Sequence, residues 1–67
     1  MRYEKLFKKQ VRVISVVVYK NGRLIKTEYY GELVDIEDDH IVLREKDMTI
    51  AKVKKRFIKR IEAWRNE

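Results

Sequence analysis

A chain of 67 residues with 17 Lys+Arg, 11 Asp+Glu, a formal net charge of +6 and neither cysteine nor proline is one small domain, too short for two separate cores. The missing cysteines exclude a disulfide scaffold and any thiolate metal site, and a single histidine, His40, excludes a histidine-rich zinc site, so no cofactor or metal is expected. A domain of about 60 residues buries only ~60% of its unfolded surface, which leaves little for a deep pocket and argues against an enzyme.

In residues 1–9, Tyr3, Leu6 and Phe7 fall at i, i+3 and i+4, the stripe of a short amphipathic helix that needs an apolar surface to dock on. Val11 to Tyr19 is dominated by β-branched side chains and reads as a strand, buried on both sides for part of its length. Asn21-Gly22 follows, the pair that a two-residue type I′ hairpin turn favours. The return strand runs from Arg23 to Ile36 with Gly31 in its middle, where a lone glycine marks a bulge, a sharp bend or a close backbone approach. Glu37 to His40 is an acidic turn, Ile41 to Leu43 a strand, Arg44 to Asp47 a polar turn and Met48 to Val53 another strand. Residues 50–64 admit two readings. Ile50, Val53, Phe57, Ile61 and Trp64 form a helical stripe, whereas a turn at Lys54-Lys55-Arg56 followed by Phe57 to Glu62 makes a final strand; periodicity does not separate them.

Charge is segregated along the chain. Residues 1–26 carry eight basic groups and one acid, residues 27–49 two and eight, and residues 50–67 seven and two. Such a chain can fold with one basic face, for which nucleic acid is the leading partner because each Lys or Arg near a phosphate releases condensed counterions. The competing explanation is a charge-laced surface of a thermophilic protein. Residues 1–9 lack the continuous apolar core of a signal peptide, and no stretch approaches the ~20 apolar residues of a membrane span. A cytoplasmic location without a membrane partner is therefore expected.

Gly31 to Leu43 has a glycine, an apolar stretch, an acidic turn and an apolar strand ending in leucine, and Val53 to Ile61 has a short basic turn before an apolar strand. With the short leading helix and five strands, this resembles the Sm-like family of ring-forming RNA-binding proteins, which includes Sm, Lsm and Hfq proteins, from about Val11 to Ile61. The resemblance favours the strand reading of the last segment. It implies a mainly β fold: a helix over 1–9, a strongly bent five-stranded antiparallel SH3-like or Sm-like small barrel over 10–62, and a tail over 63–67. The stretch between Asn21-Gly22 and Gly31 is longer than the family norm, so the first hairpin is expected to protrude. Lys55-Arg56 stands where many members carry Arg-Gly and is nearer to the Tyr-Lys-His turn of Hfq. Glu37 stands near the family's acidic position, with Asp39 or His40 where its Asn or a neighbour lies.

The resemblance further implies a homo-oligomeric ring in which the fourth strand of one subunit pairs with the fifth of the next, with both turns lining a pore. Phosphates of single-stranded RNA would then meet Lys54 and Lys55, and bases would stack on His40 or on the Arg56 guanidinium, with Asp39 alongside. Lys5, Lys8, Lys9 and Arg12 form a second basic cluster. Tyr29 and Tyr30 alternate faces, so one is core and the other, taken as Tyr30, is a secondary stacking contact. Asp38 and Asp39 fit turn chemistry better than a metal pair, since no third ligand accompanies them. Trp64 suits a cap over the barrel end or a subunit contact. Two rival functions remain open on the sequence: a monomeric or dimeric SH3-like barrel on double-stranded DNA, and a protein-interaction module. A hydrolase is disfavoured, because no nucleophile–base pair and no glycine-rich phosphate loop appears.

Overall fold

In a computed structural model, residues 3–64 are described. Five strands, β1 (Gln10–Val18), β2 (Leu24–Ile36), β3 (His40–Arg44), β4 (Ile50–Lys54) and β5 (Ile58–Ala63), form one antiparallel sheet in the order β4-β3-β2-β1-β5. One face carries the core of Val11, Val13, Leu33, Ile41, Leu43, Val53 and Ile61. Within β1 the inward Val11, Val13 and Ser15 are buried, while the outward residues between them are only half-buried. The strand thus alternates instead of being buried on both sides. Tyr29 packs on the core and Tyr30 is exposed, as the alternation of a strand requires.

Two larger expectations, the N-terminal helix and the closed barrel, are also corrected. The N-terminal helix is only a 3-10 turn, Tyr3–Leu6, and residues 1 and 2 lie outside the described region. Lys8 takes a left-handed conformation (φ 66°), its N–H donates to the Leu33 carbonyl at 2.7 Å, and the Lys9 carbonyl accepts from the Leu33 N–H at 3.0 Å. Backbone groups that would extend a helix are spent on β2, and so short a segment gains too little from propagation to compete. Tyr3 and Leu6 still dock on the core, while Phe7 is left exposed.

The barrel is not closed. β4 and β5 are the two outer strands of the sheet, joined by a three-residue 3-10 turn, Lys55–Phe57, which sends β5 across to β1 instead of back along β4. Register shifts between Leu33 and Asp35 on β2, and between Ile14 and Ser15 on β1 where it meets β5, supply the local bending such a sheet needs. The pairing of β1 with β5 also decides the ambiguous last segment in favour of a strand, which covers Ile58–Ala63; residues 65–67 of the expected tail lie outside the described region.

The first hairpin forms where Asn21-Gly22 predicts it, with a different turn. Only Gly22 has positive φ (82°), not Asn21. The Gly22 N–H donates to the Tyr19 carbonyl and the Tyr19 N–H to the Arg23 carbonyl, each at 2.9 Å, which is a type I turn closed by a left-handed residue. Asn21 Oδ1 accepts from the Arg23 N–H at 2.9 Å and holds that geometry. The β3–β4 hairpin repeats the design. The Met48 N–H donates to Glu45, the Glu45 N–H to Thr49, and Asp47 Oδ1 accepts from the Thr49 N–H; hydrogen bonding from the Thr49 side chain, followed by this backbone bond, lowers the Asp47 pKa. Here the left-handed position (φ 71°) is filled by Met48, 68% exposed, so the expected strand begins at Ile50 instead of Met48. A side chain in that conformation costs roughly 1–2 kcal/mol, and glycine gives back part of the gain through its freer unfolded chain. Met48→Gly should therefore stabilise the fold by about 1 kcal/mol, a rise of about 4–8 °C in melting temperature. An unchanged or lower melting temperature would show that Met48 does not sit in this conformation.

Candidate nucleic-acid interface

Two turns distant in sequence meet at one end of the sheet. Cross-strand pairing puts Lys54 opposite His40, and the Lys55 N–H donates to the Asp39 carbonyl at 2.8 Å. The acidic turn before β3 and the basic turn after β4 are thus tied together through backbone. Asp39, Lys54, Lys55 and Arg56 line one concavity of about 260 Å³, with three cations facing one carboxylate.

The carboxylate is held ionised. His40 Nδ1 lies 2.7 Å from Asp39 Oδ1, and this hydrogen bond, aided by the charge of Lys54, keeps the Asp39 pKa below its ordinary value. The other ring nitrogen, Nε2, stands 2.8 Å from Glu37 Oε1 in a close contact that is not aligned as a hydrogen bond. With its side chain 19% exposed between two carboxylates, His40 stands beside the concavity and orients Asp39; it offers little free face for a base. Lys54 and Arg56 are exposed and Lys55 is half-buried. Lys55 Nζ lies 5.4 Å from the Tyr3 ring centre, and the Arg56 guanidinium 4.8 Å from that of Phe57. Cation–π contacts of this kind hold long side chains in place without neutralising them. Partial burial raises the Tyr3 pKa, so its hydroxyl stays neutral.

Tyr3 and Phe57 are the aromatic neighbours of this basic turn that sequence reasoning assigned only to packing. Phe57 follows Arg56 directly and could have been read as a basic–aromatic pair; nothing in the sequence signals the approach of Tyr3.

The remaining candidates lie elsewhere. Lys5, Lys8 and Lys9 are exposed and do not line the concavity. Arg12 and Tyr30 are cross-strand neighbours on the face away from the core, where carboxylates already engage them. Glu28 Oε1 accepts from the Tyr30 hydroxyl at 2.8 Å and from Arg12 at 3.2 Å, and Arg12 also reaches Glu62 at 3.5 Å. The bond from Tyr30, followed by that from Arg12, lowers the Glu28 pKa, and the same bond raises that of Tyr30. Trp64 closes this group with its ring edge-on to Tyr30 at 5.3 Å. Among the described residues no group of three or more His, Asp or Glu side chains could hold a metal, and no helix is long and apolar enough to cross a membrane. No family model, no curated protein and no solved structure matches the chain.

Proposed function

We propose that the chain is a non-catalytic RNA-binding module of the Sm-like kind, which assembles into a homo-oligomeric ring and binds single-stranded RNA on the turn Lys54-Lys55-Arg56. The observation that carries this reading is the concavity of Asp39, Lys54, Lys55 and Arg56, where three cations face one carboxylate. Phosphates meet the lysines, and a base stacks on the Arg56 guanidinium already laid over Phe57. A second support is the sheet order, which leaves β4 and β5 as outer strands. These are the strands that the family resemblance assigns to subunit pairing, and closing a ring removes both exposed edges. Repeated around a ring, a weak two- or three-cation site becomes a multivalent track.

Lys55→Ala combined with Arg56→Ala should weaken oligo-uridine binding at least about tenfold and lessen its salt dependence, with the oligomer mass unchanged. Fluorescence anisotropy with duplex DNA as competitor reads both quantities. Unaltered affinity in the double variant would remove this turn as the site, and equal affinity for duplex DNA would favour a duplex-coating protein instead.

A further inference from the structure

The sheet leaves a third open edge, which ring closure does not use. β2 pairs with β3 only from Glu32 onward, although its pairing with β1 extends back to Leu24. Hydrogen bonding at the two ends of β1 sets the phase of the ladder. The Tyr19 N–H bonds the Arg23 carbonyl, and the Gln10 carbonyl accepts from Trp64 on the β5 side. Backbone groups alternate sides along an antiparallel strand, so Ile25, Thr27 and Tyr29 turn theirs to β1. Leu24, Lys26, Glu28 and Tyr30 aim theirs outward, with no strand beside them among the described residues.

We propose that this edge pairs with the same edge of a second copy, antiparallel, with Thr27 on the two-fold axis. That register sets Lys26 opposite the partner's Glu28, Ile25 opposite the partner's Tyr29, and Leu24 opposite the partner's Tyr30. Every opposed pair then shares a face, and the outward backbone groups meet in hydrogen-bonding phase. Centring the axis on Lys26 or on Glu28 also satisfies the phase but opposes like charges, so charge selects Thr27. Within one chain Lys26 Nζ reaches Glu28 Oε2 only at 4.0 Å, while Arg12 and Tyr30 use the other oxygen; Oε2 is available to a partner's lysine. Leu24, 65% exposed, gains cover from an aromatic ring.

The ladder stops at Leu24, because Arg44 and Glu45 already stand against Gly31, and the hairpin tip of each copy turns toward the partner's surface beside Gly31. Gly31 lines a concavity of about 390 Å³, which also presents Glu45, Lys46, Asp47 and the Tyr30–Trp64 corner. The basic hairpin tip, with Lys20 and Arg23, meets two carboxylates, one lysine and two aromatic rings in that recess. The interface is isologous, each copy giving a tip and receiving one. It is independent of the RNA reading, since Lys54, Lys55, Arg56 and the β4 and β5 edges stay uncovered.

Sedimentation equilibrium on the full chain should give an even number of subunits. Lys26→Glu should weaken association about tenfold or more while circular dichroism stays that of the folded protein. Mixing it with Glu28→Lys should restore association, because each heteromeric pair regains opposite charges. Thr27→Cys is a second test, since the chain has no other thiol and residues on the axis lie about 4.5 Å apart at Cα, within disulfide reach. Its oxidised dimer should form much faster than that of an exposed control away from every sheet edge, Lys5→Cys. A monomeric protein, an oligomer indifferent to Lys26→Glu, or cross-linking at Thr27 no faster than at the control overturns the proposal.

Discussion

Gly31→Ala should cost about 2 kcal/mol or more, read as a fall in the urea midpoint at unchanged slope. A β-carbon at Gly31 would stand 2.6 Å from the Arg44 carbonyl oxygen and 3.0 Å from its carbon. Both atoms are backbone, so no side chain can swing aside, and relief requires β2 and β3 to part at the start of their pairing. Elsewhere Gly→Ala gains ~0.4–1 kcal/mol by restricting the unfolded chain, and this sets the sign of the test. A midpoint equal to or above that of the parent would mean that the two strands do not approach so closely. Gly22 is a useful contrast, because nothing lies within 4 Å of a β-carbon built there and only its positive φ is at stake.

Leu33→Ala should lose about 3 kcal/mol, within the usual range for leucine truncated in a core. Leu33 is fully buried among Val11, Ile41 and Leu43, and its backbone anchors both Lys8 and Lys9. A domain of this size has ~3–10 kcal/mol in total, so the variant should sit near the edge of folding at 25 °C. Guanidinium unfolding followed by Trp64 fluorescence measures the loss. A penalty below about 1 kcal/mol would place Leu33 outside the core.

Most of the strands were legible because their signals are local. The β-branched run of β1, the Asn21-Gly22 punctuation and the acidic turn before β3 each act within a few residues, and Gly31 announced a close approach without naming its partner, Arg44. What stayed hidden depended on distant neighbours. The N-terminal stripe looked helical because Tyr3, Leu6 and Phe7 fit the period, but bonds from Lys8 and Lys9 to Leu33 override it. The final segment read equally well as helix or strand until β1 supplied a ladder. Met48 gave no sign of its left-handed backbone, since nothing about methionine favours one. At the candidate site, the basic turn and Asp39 stood out as charged turn residues. The carboxylates flanking His40 are neighbours in sequence, yet their closeness to its ring depends on turn geometry. Arg12 looked like a free cation until the sheet brought Glu28 and Glu62 beside it.

The place of β5 beside β1 has a consequence for how the molecule is made. Three of the four strand pairings join consecutive segments, and each can form as soon as its hairpin has left the ribosome. The fourth joins Val11 to Ala63, so β1 waits for its second neighbour through the synthesis of everything between them. Until then the nascent chain exposes one flank of a valine-rich strand, the kind of surface that chaperones cover. Closing so long a loop is also the step expected to limit refolding, which should put this small protein with the millisecond-to-second folders despite its length.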